Sequence, residues 1–556
     1  MRSLRALLVA PVVAPLVTSF IVPLSALSSP IAAQVAVASP GKPYQFTIED
    51  YARAERFLGQ TINPLVSGMS GKANWLSDGR FWYRVGTGNG GSTFYIVNPT
   101  KRTKLPAFDD KRLATALSLV TGSTLDADRL PFQSFDYTAD GGSMKLAVRG
   151  KPLSCDLKLY TCAAATGRMD APANASVSPD GKAAAYIKDN NLWAKDLTSG
   201  AETQLTTDGI KDFGYATNNA GWVHGDNPVI SWSDDSRQIA TFQHDGRGVR
   251  EMYLVSTNVG NPKLEAWKYP MPGDSAVFRV SRVIINRGAD GAPHVVRLQM
   301  PPDAHRSTVS DHVACDGGTV CDTQWYPDGS HLAFISSSRD HKQAWLRIAD
   351  ATTGAVRTVL EEKSATQVGD ASLPENLWRV LPASNELIWW SERDNWTHIY
   401  LYDLTTGALK NRITTGNGNV TELVRIDEKK RQIWFTANGK EAGRDPYFQH
   451  FYRIGFDGKS QVLLTPEVAN HSVVLSPDAK YFVDTYSTPD TPPVTVVRDM
   501  NGKIVQELEK GDIKQLVASG WRPPLPVHTK ARDGSTDVYG LMYLPTTLDS
   551  TRKYPI

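Results

Sequence analysis

The chain has 556 residues, 60 basic and 58 acidic side chains, and a formal charge of +2. That balance sets up no field to gather nucleic acid or an anionic membrane surface, and the length exceeds what one hydrophobic core organises unless the core is built by repetition. Fourteen Trp and twenty Tyr beside 34 Pro and 43 Gly favour short aromatic strands parted by turns over a helical protein.

Arg2 and Arg5 precede an apolar run from Leu7 to Leu27, and the small residues Ser28, Ser29, Ala32 and Ala33 follow. This is the layout of a secretory signal over residues 1–33, with the mature chain starting near Gln34 and export to a periplasm or the medium. A retained anchor is the competing reading, but Pro11, Pro15, Pro23, Thr18 and Ser19 make a poor spanning helix, so no membrane attachment is expected after cleavage. Residues 34–71 form an N-terminal segment in which Thr47 to Phe57, with a capping candidate and charges at helical spacing, predicts a short helix.

From about Lys72 to Lys510 a two-part unit recurs. Its first half is a turn followed by an alternating apolar strand: Leu76-Ser77-Asp78-Gly79, Ser178-Pro179-Asp180-Gly181, Ser233-Asp234-Asp235-Ser236, Tyr326-Pro327-Asp328-Gly329, the weaker Asp427-Glu428-Lys429-Lys430, and Ser476-Pro477-Asp478. Pro at the second position and Gly at the fourth suit a type I turn. The second half is a strand such as Thr93 to Val97, Leu192 to Leu197, Met252 to Val255, Trp345 to Ile348 or His398 to Leu404, two of them ending in a Thr-Ser-Gly or Thr-Thr-Gly turn. Spacings of about 50 to 100 residues fit radial arrays of four-stranded blades whose longer gaps hold insertions or weak copies. The expectation is an all-β chain, an eight-bladed β-propeller over 72–510; a pair of β-sandwiches is disfavoured because the whole unit recurs.

Four cysteines fall into two local pairs, Cys155 with Cys162 and Cys315 with Cys321, which in an exported chain most simply become two short-loop disulfides. Three connectivities remain possible. A zinc site would need both pairs to meet at unusually wide spacing, and no metal or other cofactor is expected. Residues 511–526 read as a linker: a short helix from Asp512 to Ala518, Gly520, then the stiff Arg522-Pro523-Pro524-Leu525-Pro526. Residues 527–556 start something new, a hairpin from Lys530 to Pro545 followed by Tyr554-Pro555-Ile556, too short to close a core of its own.

Three stretches carry a family resemblance: Trp390-Ser391-Glu392-Arg393-Asp394-Asn395-Trp396-Thr397-His398 through Asp403; Pro262-Lys263-Leu264-Glu265 with Tyr269-Pro270; and Asp484-Thr485-Tyr486-Ser487 before Pro492-Pro493. With them the chain resembles the prolyl oligopeptidase class of serine peptidases, in its dipeptidyl peptidase IV branch, where an eight-bladed propeller caps an α/β-hydrolase domain. The Arg532 to Pro545 hairpin and Lys553-Tyr554-Pro555-Ile556 resemble the start of that hydrolase domain. The resemblance implies an exported peptidase cleaving short, often proline-containing peptides, with dimers formed through the hydrolase domain. It also implies that the nucleophile, acid and base lie beyond Ile556, so no residue here is a catalytic candidate and the chain alone is expected to be inactive. A serine attacks only when a histidine takes its proton and donors meet the oxyanion, and no Gly-x-Ser-x-Gly occurs. The alternative from another class is a non-catalytic propeller that grips a peptide or protein.

In that branch two adjacent glutamates hold the substrate's terminal ammonium. The matching stretch here, Gly214 to Trp222, has Asn218 and Asn219 instead, which leaves strict dipeptidyl release in doubt because neutral amides are weaker partners for a cation. They are the candidate substrate contacts, with a loop cap as the plainer reading. Ser67-Gly68-Met69-Ser70-Gly71 lacks the elbow spacing and reads as a loop, and Gly86 to Gly91 satisfies a dinucleotide glycine pattern but joins two strands, so it reads as a hairpin turn. Glu392, Arg393 and Asp394 beside Trp389, Trp390 and Trp396 read as mutually paired charges in a blade loop more than as groups in the central cavity. His244-Asp245 and His398 lack a third ligand at useful spacing.

Overall fold

The computed structural model describes residues 46–138, 141–165, 171–220, 223–257, 259–288, 292–305, 322–368, 377–546 and 548–551. Residues 1–56 form a unit of their own, whose described part is the helix Ile48–Glu55. Asp50 reaches back to the Thr47 backbone N–H at 3.0 Å, and Arg53 meets Asp50 at 2.7 Å, so the first turn is capped and charge-paired as the sequence predicts.

The second unit, from Phe57 onward, is a ring of eight antiparallel sheets, at 74–106, 135–164, 176–204, 213–305, 323–363, 379–412, 419–463 and 470–510. Seven are plain four-stranded blades, strands A to D in sequence order from the innermost outward. Blade 4 fills four strand positions with six strands. Its inner strand is broken into Phe213–Tyr215 and Ser231–Trp232, both paired with Gln238–Asp245, and its outer position is shared by His294–Arg297 and Asp303–His305.

The recurring Ser-Pro-Asp is a side-chain device. In blade 3 the Ser178 hydroxyl donates to Asp180 at 2.7 Å while accepting from the Ala183 N–H at 3.0 Å. Ser233 does the same with Asp235 and Gln238, and Ser476 with Asp478 and Tyr481. Each buried hydroxyl therefore closes the turn into strand B. The Asp-x-Thr-Thr-Gly turn between strands C and D is a second device: Asp403 accepts from the Thr405 and Thr406 N–H groups, at 3.1 and 2.8 Å, which holds its carboxyl below the usual range. Gly407 then takes φ of +70°, packed so tightly on blade 5 that a Cβ would stand 2.1 Å from the Val359 carbonyl oxygen.

Burial follows from sandwiching each blade between two others. All six residues of Glu386–Ser391 are buried, which explains the unbroken apolar run Leu387-Ile388-Trp389-Trp390. Apolar clusters span the seams: Trp82 of blade 1 stacks on Phe135 of blade 2 at 4.1 Å, and one large cluster runs through blades 5, 6 and 7. Between blades 8 and 1, Val483, Val497 and Leu508 meet Phe81, Tyr83 and Val97. Neither terminal blade borrows a strand. The ring shuts through Lys104–Glu509 at 2.5 Å, Tyr83 OH to Glu509 at 2.8 Å, and a backbone clasp in which Ser67 and Asp512 exchange hydrogen bonds of 3.0 and 2.8 Å. The Ser67 to Gly71 loop is that clasp; Gly68, at φ +69°, lets the Lys510 carbonyl come within 2.4 Å of where a Cβ would be.

Several expectations need correcting. Met252 to Val255 does not close blade 4: Glu251–Ser256 pairs with Lys263–Lys268 as a separate two-stranded arm with Tyr253, Leu254, Val255 and Leu264 exposed, and strand C is Phe278–Asn286. The alternation was real, but it reported hairpin pairing and not the blade. Blade 2 and the first half of blade 6 are the pieces hidden in the long gaps; in blade 6 the Ser-x-Asp turn is replaced by the 3-10 turn Pro382–Ser384 ending in left-handed Asn385. The linker helix is Lys514–Ala518, and Leu525 and Pro526 belong to a strand, Leu525–Lys530, paired with Asp537–Met542. Proline is accepted there because the hairpin has two free edges. Cys155 and Cys162 are bridged across adjacent strands of blade 2; Cys315 and Cys321 lie outside the described residues.

Candidate functional site

Strands alternate in direction within every blade, so A–B and C–D turns lie on one face of the ring while B–C turns and the links between blades lie on the other. The chain reaches Asn74 and leaves Lys510 on the second face. Anything tethered beyond Asp512 starts there, which makes the B–C face and the channel mouth behind it the candidate site.

Asn218 and Asn219 belong to a small hairpin, Asn218–Ala220 paired with Val223–Gly225, inserted into the break of blade 4's innermost strand. Val229 and Ala216 are hydrogen-bonded at 2.9 Å where the insertion begins and ends, so it springs from the channel wall. The sequence matched this pair to a family stretch ahead of Ser231; that the stretch interrupts the inner strand is seen only in the structure, where the backbone is extended.

The Glu392-Arg393-Asp394 cluster occupies the B–C turn of blade 6. Arg393 donates to Glu362 of blade 5 at 2.6 Å and to Ser391 at 2.8 Å, and lies over the Tyr400 ring at 4.6 Å. Burial disfavours its charge, but Glu362 outweighs burial and holds the guanidinium firmly protonated. Asp394 accepts from Tyr400 at 2.8 Å and Arg412 at 2.5 Å, bonds that lower its carboxyl; Glu392 accepts from Thr397 at 3.2 Å. The cluster does sit in a blade loop, but its charges are not paired with one another as the sequence reading favoured: Arg393 is paired with Glu362 of blade 5 and Asp394 with Arg412. Beside them lies a cavity of about 540 Å³ lined by Glu362, Thr366, Trp390, Glu392, Arg393 and Asn395.

One cluster escaped the sequence. Glu467, His471 and Asp484 bring ligand atoms within 4.8 Å of one another at the seam of blades 7 and 8. Arg498 already supplies the cation, at 2.9 Å from Asp484 and 2.7 Å from Glu467, while His471 Nδ1 faces Asp484 at 3.0 Å. This is an ion network that ties three strands of blade 8 to the link arriving from blade 7. Its members span 31 residues, from Glu467 to Arg498, and only the folded register reveals them. Elsewhere His244 packs against Phe278 at 4.8 Å and His398 bonds Thr414 at 3.1 Å.

Nucleophilic chemistry needs a histidine between a serine and a carboxylate. Ser330, His331 and Asp328 come nearest among the described residues, but Ser330 itself bridges the other two, at 2.6 Å to Asp328 and 2.8 Å to His331, in an exposed A–B turn on the opposite face. That arrangement caps a turn and activates no oxygen.

A sequence profile of the dipeptidyl peptidase IV (DPP IV) N-terminal region matches residues 153–493, from the third strand of blade 2 to the third strand of blade 8. The chain belongs to the DPP IV N-terminal family. Curated relatives include a probable dipeptidyl-aminopeptidase B of Neosartorya fischeri, 23% identical over 68% of this chain and 42% of that protein, and one of Tuber melanosporum, 25% identical over 69% and 44%. Among solved structures, a putative dipeptidyl aminopeptidase IV from Bacteroides ovatus aligns with TM-score 0.64 at 21% identity, covering 87% of this chain and 66% of that one. Porphyromonas gingivalis dipeptidyl peptidase 4 aligns with TM-score 0.60 at 20% identity, over 88% and 66%. The chain thus spans less than half the length of these curated relatives. As a DPP IV N-terminal region its eight-bladed ring is the expected architecture, and blade 1, which precedes the matched span, completes it.

Proposed function

We propose that this propeller is part of an exported serine-type peptidase that cleaves short, proline-containing peptides, with the hydrolytic groups supplied by residues beyond Ile556. The observation that carries this is the clasp: both ends of the ring meet at Ser67 and Asp512 on one face, and family membership supports reading that face as the one a following domain would cover. In that position the ring excludes folded proteins and shapes the space in which a peptide lies, and the 556-residue chain by itself turns over nothing. Asn218 and Asn219 are the candidate substrate contacts, and as neutral amides they hold a terminal ammonium less strongly than carboxylates do, which weakens the basis for strict dipeptidyl release.

The test is to read the coding sequence past Ile556 and to assay both forms. A frame continuing into Gly-x-Ser-x-Gly, with hydrolysis of a dipeptidyl chromogenic substrate that a serine reagent blocks, supports the peptidase. Serine-reagent-sensitive turnover by the 556-residue chain would overturn the assignment of chemistry to later residues. A stop codon with tight peptide binding and no turnover would establish a binding module instead.

A further inference from the structure

Between blades 1 and 2, near the B–C face, lies a cavity of about 320 Å³ lined by Met69, Lys72, Asn74, Arg84, Gln133 and Ser134 among others. Strand Phe81–Gly88 builds its floor by period two. Trp82 points into the seam and stacks on Phe135 at 4.1 Å, and Arg84, two residues on, points the same way above it. The clasp segment forms the wall, held by Gly71 N–H to the Arg84 carbonyl at 2.7 Å and Gly86 N–H to the Met69 carbonyl at 3.1 Å.

Arg84 is half-buried, and among the described residues its Nε is closed off from solvent with no acceptor, as is the Arg425 Nε, whereas the fully buried Arg282 and Arg498 each meet two carboxylates. Among the described residues no Asp or Glu lines the cavity; its other polar residues are Lys72, Asn74, Ser70, Gln133 and Ser134. A partly desolvated guanidinium among neutral amides and hydroxyls and a second cation lacks a counter-charge until an anion fills the space, and a planar fork is suited to a carboxylate.

We infer that this cavity is a carboxylate-binding subsite in which Arg84, assisted by Lys72, takes the carboxylate of a peptide held in the propeller. The inference rests on the peptide-handling role proposed above. It assigns that role a preference for acidic ligands, in keeping with the neutral Asn218–Asn219 pair where an amine anchor is expected.

The experiment is calorimetric binding of three pentapeptides to the 556-residue chain: one amidated with a central glutamate, one amidated with glutamine there, and the glutamine peptide with a free C-terminal acid. At least one carboxylate peptide is expected to bind about tenfold more tightly than the uncharged one, and which one shows whether the side chain or the terminus is read. Arg84→Met removes the preference and Arg84→Lys keeps part of it. Ser134→Glu, at an exposed position on the rim, removes it by placing a carboxylate beside Arg84 and keeps the test independent of how Arg84→Met folds. Equal or undetectable binding of all three peptides, or a preference surviving in both Arg84→Met and Ser134→Glu, overturns the inference. Turnover by the longer protein is a separate readout: a peptidase without carboxylate preference removes only the subsite, and a carboxylate preference without any peptidase removes only the enzyme.

Discussion

Gly407→Ala tests whether the ring is held by backbone contact between blades. Two costs are expected, and a second glycine separates them. Gly79 sits at φ +82° with nothing within 4 Å of an added Cβ, so Gly79→Ala incurs only the left-handed conformational penalty, about 1 kcal/mol. Gly407, at φ +70°, bears the same penalty and would also press a methyl to 2.1 Å from the Val359 oxygen and 3.3 Å from its carbon. Val359 lies on the outer strand of blade 5, so blades 5 and 6 must part or the turn must rebuild; overpacking of this kind costs about 1–3 kcal/mol more. The expected totals are about 1 kcal/mol for Gly79→Ala and about 2–4 kcal/mol for Gly407→Ala. Urea unfolding followed by tryptophan fluorescence reads the difference as a midpoint shift. Equal midpoints for the two variants would refute the reasoning, because only the conformational term would then be at work.

Asp322→Ala should destabilise by about 3–5 kcal/mol, since it strips Arg282, 5% exposed and bonded to Asp322 and Asp303, of one counter-charge; a urea midpoint close to that of the parent chain contradicts this. Glu386 is pushed up by burial, but hydrogen bonds from Arg431 and Lys410 outweigh this and bring its carboxyl to about 2. Its folded value is therefore below the unfolded one, so its contribution is present above about pH 4.5 and is lost as pH falls towards 2. Glu386→Gln should flatten the acid limb of a stability–pH curve in that window, and an unchanged limb removes the attribution. Burial lowers His450, so the unfolded chain takes up that proton first and stability falls as pH drops below about 6.5; a His450→Gln variant as pH-sensitive as the parent between pH 7 and 5 denies it that part. Reducing Cys155–Cys162 releases a short loop in blade 2 and should lower stability by about 2.5 kcal/mol on the loop-entropy relation, measured with and without dithiothreitol.

The repeat was legible because its turns are chemical: Ser178, Ser233 and Ser476 each close a turn with the aspartate two residues on, and such local hydrogen bonds fix both the sequence and the fold. Only the second half of blade 6, His398 to Leu404, was legible, because at its first turn Asn385 reaches the same left-handed conformation without Ser or Asp. The arm at Glu251–Ser256 misled because alternation reports pairing and not the partner, and blade 4's inner strand gives no sign in sequence that it is broken and resumed sixteen residues later. Asn218 and Asn219 were singled out through the family pattern alone, whereas the Arg498 network depends on the register of blade 8 and the Arg84 cavity on which residues face each other across a seam, information that exists only in the folded ring.

The clasp between Ser67 and Asp512 has a bearing on how this chain can be engineered. Two backbone segments already within hydrogen-bonding reach can be spliced with a few residues, and because every blade is woven from one continuous stretch, new termini can be cut at a link between other blades without unpicking a sheet. A permutant opened between blades 5 and 6 would keep all eight sheets whole and move the free ends a quarter-turn or more around the rim, turning the point of attachment of any fused partner into a design variable.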